Sequence, residues 1–340
     1  MPHLVSPPVI EKANTLPTIG VAICTCNGMP YVEQQLQSIV SQDLLPDEIV
    51  VSDDASDDGT WEYLLSWSQL QTIPVVLQRN TPRLGIVKNF ESAVTRLNTD
   101  IIFLCDQDDI WEHSKIRLLV NRLAANAALL MVHSDAQLVD RDGHDLGSAL
   151  LDAVSLTVYE RELIRDGKAM EVLCRRNVVT GATAAFKRSL LEIAVPFAPD
   201  WLHDEWLAIL AASANAIDLE PCSTVRYRQH GRNAIGMEAP GISRVFNRFK
   251  FVAKLPGGKF QSLRLTRIEQ LLDRLKVSGG LPQQWEAMLI DWYHFALFRA
   301  SLPAPIAIRM FSVLKRGLLT NDYQRFGRGW LSAFRDILKR

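Results

Sequence analysis

Three carboxylates stand within four residues at Asp106-Gln107-Asp108-Asp109, directly after the apolar run 101–105. Held that closely behind a buried strand, they repel one another unless a positive charge sits among them. A hard divalent cation bound to phosphate oxygens is the natural partner, because Mg²⁺ takes one or two carboxylates together with phosphates. A second acidic strand end opens the stretch Asp53-Asp54-Ala55-Ser56-Asp57-Asp58-Gly59-Thr60. It fails as a calcium loop: with Gly59 at the sixth position, Leu65 falls at the twelfth, where a bidentate Glu is needed. A capped turn entering a helix at Thr60 accounts for Asp57 and Gly59 but leaves Asp53 and Asp54 without a task. A carboxylate there could accept the imide N–H of a uracil or thymine edge. The chain has no GxGxxG, no GxxxxGK[ST] and no GxSxG. Phosphates must therefore be met by metal and side chains, and a dehydrogenase, a P-loop enzyme and a serine hydrolase lack support.

These side chains need elements that end where they stand. The runs 19–25, 48–52, 75–77, 101–105 and 129–133 read as short apolar strands, and 31–40, 60–70, 86–97 and 114–126 as helices between them. Continuous apolar strands alternating with amphipathic helices make an α/β chain with a mostly parallel sheet covered on both faces. Ligands then sit beyond the carboxyl ends of strands, and three of those ends carry Asn27, Asp53-Asp54 and the Asp106 cluster. Farther on, Asp142-Gly143 is a hairpin-type turn, 178–186 and 217–226 read as strands, and 203–213 reads as an amphipathic helix. Residues 1–16 read as a flexible leader, and 243–340 as mostly helical.

Six motifs occur in order: Thr25-Cys26-Asn27-Gly28, the Asp53 stretch, Asp106-Gln107-Asp108-Asp109-Ile110-Trp111, Thr180-Gly181-Ala182, His203-Asp204-Glu205-Trp206 and Tyr227-Arg228-Gln229-His230-Gly231. Together they resemble glycosyltransferase family 2, and within it most resemble bacterial rhamnosyltransferases of surface polysaccharide synthesis. The resemblance implies a GT-A (nucleotide-diphospho-sugar transferase) fold over residues 17–236, followed by a basic, aromatic-rich helical region at 240–340. It implies an inverting, metal-dependent transfer of a sugar, rhamnose from dTDP-rhamnose being the donor suggested, from a dTDP- or UDP-sugar to a saccharide acceptor, lipid-linked, in polysaccharide or O-antigen synthesis. Asp54, with Asp53 beside it, would bond the pyrimidine. Thr25, Asn27, Lys88, Asp106 and Gly181 would complete the nucleotide-sugar site. Asp106, Asp108 and His230 would hold Mg²⁺ or Mn²⁺, and Asp204 would be the catalytic base. Cys26 departs from the family's usual aromatic, and His203 stands where Glu or Gln is commoner.

Composition limits the alternatives. The net charge of −1 conceals a split, with 18 basic and 6 acidic residues in 242–340 (+12) against 19 and 32 before them (−13). The acidic first part opposes nucleic-acid binding, which needs a basic face. Five cysteines without a CxxC pair suggest neither a zinc site nor a disulfide framework, and point to a reducing cytoplasm. No apolar stretch is long enough for a membrane span. Phe246, Phe249, Phe251, Trp285, Trp292, Phe295, Phe298, Phe311 and Trp330 lie among the basic residues of the tail, a pattern suited to the inner face of the cytoplasmic membrane, if its lipids are anionic. Packing on the transferase domain, or on a second copy in a homodimer, is the competing expectation. A sugar nucleotidyltransferase, or a non-catalytic sugar-nucleotide-binding protein, is the alternative function; the first normally needs a glycine-rich basic loop that 24–28 does not supply.

Overall fold

The alternating apolar runs assemble into one mixed sheet. A computed structural model describes residues 17–230, 257–279 and 283–338. The leader 1–16, residues 231–256 with Gly231, Phe246, Phe249 and Phe251, and the boundary expected between 236 and 240 lie outside the described residues. The strands are β1 (Ile19–Thr25), β2 (Glu48–Asp53), β3 (Val75–Arg79), β4 (Ile101–Cys105), β5 (Ile110–Trp111), β6 (Met131–Val139), β7 (Asp145–Ala149), β8 (Ala184–Lys187) and β9 (Ile217–Arg228). Their order is β3-β2-β1-β4-β8-β6-β9-β5, with β7 paired to β6. β3, β2, β1 and β4 run parallel, β8 enters antiparallel between β4 and β6, and β6 and β9 are parallel to each other.

β1 and β4 are buried along their whole length because helices cover both faces of the sheet. One apolar cluster, including Ile23, Val51 and Phe103, lies on one face; the other, including Phe90, Ile102 and Trp206, lies on the opposite face. The chain leaves β1 toward β2 on one side and reaches β4 on the other. That reversal opens a crevice at the carboxyl ends of β1 and β4, where Thr25 and Asp106 stand.

Two expectations shift. Residues 178–186 form a strand only from Ala184, because Gly181–Thr183 make a 3₁₀ turn instead. The fifth expected strand runs on to Val139, and β5 is a strand of two residues that the sequence pattern missed. The C-terminal helices pack against the sheet and its helices, as one of the two expectations for the tail has it. Ile268, Leu271, Trp292 and Phe295 join the same core cluster as Phe90 and Trp206, which also decides the role of the tail's Trp292 and Phe295: they pack. Polar ties reinforce this, with Arg274 donating to the carbonyls of Ile193, Val195 and Pro196, and Arg264 to those of Cys174 and Phe326. No helix among the described residues is long and apolar enough to cross a membrane.

Candidate active site

Two turns at the carboxyl ends of β1 and β2 lock together. Asn27, at φ 54°, donates its N–H to Ser56 Oγ at 2.8 Å and accepts the Asp57 N–H on Oδ1 at 2.9 Å. Asp53 is buried among the same groups, accepting from Thr25 Oγ1 at 2.8 Å, from the Ser56 N–H at 3.0 Å and from Ser56 Oγ. Gln107 completes the knot: its amide oxygen accepts the Cys26 N–H at 2.7 Å and its NH₂ donates to the Cys26 carbonyl at 3.1 Å. Glycine is required at 28 for that docking, since a Cβ there would lie 2.8 Å from Gln107 Oε1. Asn27 and Asp53 thus act on the loops, and neither lines the cavity that the loops enclose.

That cavity has a volume of about 490 Å³, within the range of roughly 300–1,000 Å³ typical for small-molecule sites. Thr25, Asp54, Asp106, Asp108, Gly181 and Asp204 line it, so most of the expected site residues meet there from five separate stretches of chain. Asp54 holds the Leu84 and Gly85 N–H groups at 2.7 and 2.9 Å and the Asn80 amide at 3.2 Å, fixing the loop that brings Arg83 to the wall. Lys88, expected at the donor, lies outside the lining, paired with Glu91 at 2.6 Å.

Asp204 sits in the first turn of helix His203–Ser213, where the positive end of the helix favours a carboxylate. The N-cap is Leu202, so Asp204 is not the cap of the helix. Instead its two oxygens are clamped, Oδ2 by the Gly181 N–H at 3.0 Å and Oδ1 by the Glu205 N–H at 2.8 Å. Gly181 must be glycine for this approach: a Cβ would lie 2.9 Å from His203 Nε2 and 3.5 Å from Asp204 Cβ. The His203 ring is stacked on Phe90 at 3.7 Å between centroids, and burial lowers it to about 4, so it is neutral near pH 7. Trp201 and Trp206 are buried, with their indole N–H groups on the carbonyls of Arg267 and Ala194.

The acidic cluster is divided by the fold. Asp109 turns inward and accepts the Arg228 N–H at 2.8 Å, and burial drives its carboxyl well above the usual range. Asp106 and Asp108 face the cavity. The Asp106 carboxyl is pushed up to about 7, first by desolvation and then by the charges of Asp108 and Asp204. His230 reaches back across 122 residues to place Nε2 2.8 Å from Asp108 Oδ2, with its ring stacked on Tyr31. The donor set of two carboxylates and an imidazole, with one carboxyl raised by burial and then by its acidic neighbours, fits a divalent cation. Asp106, Asp108 and His230 do not draw within 4.8 Å of one another; among the described residues Asp140, Asp142 and His144 do. That trio, half-buried at Asp140 and exposed at Asp142 and His144, belongs to the turn before β7, where Asp140 accepts the N–H groups of Asp142 and His144, and it lies outside the cavity.

Sequence reasoning missed Lys115. It is fully buried, lies 3.8 Å from the Trp111 ring centroid and donates to the Ala182 carbonyl beside Gly181. Burial lowers its ammonium to about 7 against the pull of Cys105, Asp109 and Asp106. A signal was present: Lys115 stands four residues before Leu119, on the stripe that Ile116, Leu119, Val120 and Leu123 bury. Arg228 was also missed as a structural tie, buried and donating to the Asp108 carbonyl at 2.8 Å and to Gln34 at 2.6 Å.

The similarities to known proteins agree with this geometry. The chain is 28% identical over 225 residues to the dTDP-rhamnosyl transferase RfbG of Shigella flexneri, covering 63% of this chain and 73% of that protein. It is 32% identical over 115 residues to the abequosyltransferase RfbV of Salmonella typhimurium, covering 33% of this chain and only 34% of that protein's length. Its fold is similar to that of S. aureus TarS 1-349 in complex with UDP-GlcNAc, with a TM-score of 0.53 at 14% identity over 94% of this chain and 90% of that one. It is also similar to the mannosyltransferase PcManGT of Pyrobaculum calidifontis in complex with GDP-Man and Mn²⁺, with a TM-score of 0.51 at 19% identity, covering 96% and 86%. Residues 20–193 match the family model for Glycosyl transferase family 2, over half of the chain; the protein is a glycosyltransferase and belongs to that family.

Proposed function

We propose that the chain transfers a sugar, with inversion, from a nucleotide diphosphate donor to a saccharide acceptor in bacterial surface polysaccharide synthesis. The observation that carries this reading is the charge of the cavity wall. Asp54, Asp106, Asp108 and Asp204 line it, and Arg83 is the only Lys or Arg among its described lining residues. A diphosphate would be repelled from such a wall unless a cation entered with it. Mg²⁺ or Mn²⁺ held by Asp106, Asp108 and His230 would supply that charge and offset the one developing on the departing diphosphate.

Asp204 is the general base in this reading. Its carboxylate is held at both oxygens, so it is oriented before a substrate arrives, and it takes the proton of the acceptor hydroxyl as that oxygen attacks the sugar from the face opposite the diphosphate. Gly181 contributes the N–H that fixes it, and Asp54 and Thr25 mark the nucleotide end of the cavity. Rhamnose from dTDP-rhamnose is the donor that the likeness to RfbG favours. A lipid-linked acceptor and a peripheral position on the inner face of the cytoplasmic membrane suit the basic tail. The test is a panel of dTDP- and UDP-sugars with and without Mn²⁺, read by thermal stabilisation and by nucleotide release with a saccharide acceptor. Metal-dependent stabilisation and turnover by one deoxysugar donor support the reading. A protein that binds none of the nucleotides overturns it.

A further inference from the structure

Half of the exposed large apolar side chains among the described residues, 11 of 22, fall between Ile306 and Leu338. Helix Ile306–Leu319 buries Arg309 and Val313 against the protein and turns Phe311 and Leu318 outward, 68% and 76% exposed. Helix Trp330–Leu338 buries Ser332, Ala333 and Asp336 and turns Trp330, Leu331 and Phe334 outward, with Leu331 66% exposed. Both helices therefore present apolar residues at the positions where a globular surface carries polar ones. The two are packed together, and the Trp330 ring lies over Gly317, where a Cβ would meet it at 3.2 Å. The result is one continuous apolar face, of the kind that marks a docking surface.

Charge identifies its occupant. Residues 306–340 hold eight basic and two acidic side chains, a net of +6. Both acids are buried in ion pairs, Asp322 with Arg316 and Asp336 with Arg299, so among the described residues of this segment no exposed acidic side chain interrupts the surface. Lys315 is exposed beside the apolar stripe of its helix. A second copy of the chain docking through this face would set two such positive surfaces against each other. An anionic bilayer accepts both features, the apolar side chains entering the acyl boundary while the basic ones meet headgroups. We propose that the paired helices Ile306–Leu319 and Trp330–Leu338 form the face by which the protein docks on an anionic membrane. The proposal rests on the transferase reading only for its purpose, which is to bring the cavity to a lipid-linked acceptor. It narrows the sequence-level expectation: Phe311 and Trp330 stay on the outward face, Trp292 and Phe295 are buried, and the rest of the face is largely aliphatic.

The test is co-sedimentation of the full chain with vesicles of phosphatidylcholine alone and of phosphatidylcholine with about an equal part of phosphatidylglycerol, at low and high salt. The variant is Phe311→Ser, Leu318→Ser, Leu331→Ser, at exposed positions whose loss leaves the core intact, with thermal unfolding as the control for folding. Binding to the anionic vesicles, weakened by salt and reduced on the order of 100-fold in the variant, is expected. Absence of binding to either vesicle, or equal binding by the variant, overturns the proposal. So does a wild-type dimer that the variant converts to monomer without any vesicle binding, which would assign the face to a second copy. The assay uses neither donor nor acceptor, so a protein that binds vesicles but transfers no sugar would overturn the proposed function and leave the docking face standing.

Discussion

Replacing Asp204 with Asn separates a base from a clamp, because the structure sets a limit on what the clamp can cost. The carboxylate accepts the Gly181 N–H on one oxygen and the Glu205 N–H on the other. An amide offers one oxygen, so its NH₂ must face one of those donors. The substitution therefore disturbs structure, contrary to what near-isosteric size suggests. Losing one hydrogen bond to a charged acceptor costs about 1.5–3 kcal/mol. Removing the charge from the first turn of the helix adds about 0.3–1 kcal/mol. The expected destabilisation is thus about 2–4 kcal/mol, out of a total of roughly 5–15 kcal/mol for a domain. Even if only about 1 kcal/mol remained, roughly five molecules in six would stay folded. Loss of a general base lowers turnover by about 10²–10⁴, far beyond what that unfolding removes. The measurements are urea unfolding of both proteins, donor binding, and nucleotide release with acceptor present. An Asp204→Asn protein that unfolds earlier yet keeps more than about a tenth of wild-type turnover would refute the catalytic assignment and leave Asp204 as the clamp of the Gly181 turn.

Asp108→Ala keeps the main-chain carbonyl that Arg228 uses, so the fold should survive while turnover and the metal dependence of nucleotide stabilisation disappear; undiminished activity of the variant, or of the wild type in EDTA, removes the metal role. Gly181→Ala drives a Cβ to 2.9 Å from a His203 ring that Phe90 holds in place, and should cost about 1–3 kcal/mol in unfolding free energy and about 10²-fold in turnover by displacing Asp204; a variant with wild-type kinetics would show that the clamp has slack. His133 is buried in β6 and lowered by desolvation to about 4, below its unfolded value near 6.5; its contribution is complete above pH 6.5 and is lost as pH falls toward 4. Between pH 7.5 and 5 this amounts to on the order of 2 kcal/mol, so His133→Leu should flatten the acid side of the stability curve by that much, and an unchanged slope in urea titrations refutes the assignment.

Local pattern determined a great deal here. The apolar run 101–105, the helix 203–213 and the hairpin turn at Asp142-Gly143 occur where the sequence places them, because each depends on residues near one another in the chain. The acidic strand ends were legible for the same reason, since a buried strand must stop where carboxylates begin. Which carboxylate faces a ligand was not legible. Asp53 and Asp54 are neighbours of one type, yet the turn after β2 buries the first among Thr25 and Ser56 and leaves the second on the cavity wall. Asp108 and Asp109 divide the same way, and only the arrival of β9 beside β5 supplies the Arg228 N–H that draws Asp109 inward. His230 meets Asp108, and Gly181 meets Asp204, because β8 and β9 insert into the sheet in an order that no local period encodes. The tail shows the same division: its positive charge and aromatic content can be counted in the sequence, whereas which apolar residues are buried follows from how two helices rest on the rest of the molecule. Element type follows from short-range periodicity, and the site follows from contacts between stretches from about twenty to over a hundred residues apart, whose register is set by packing alone.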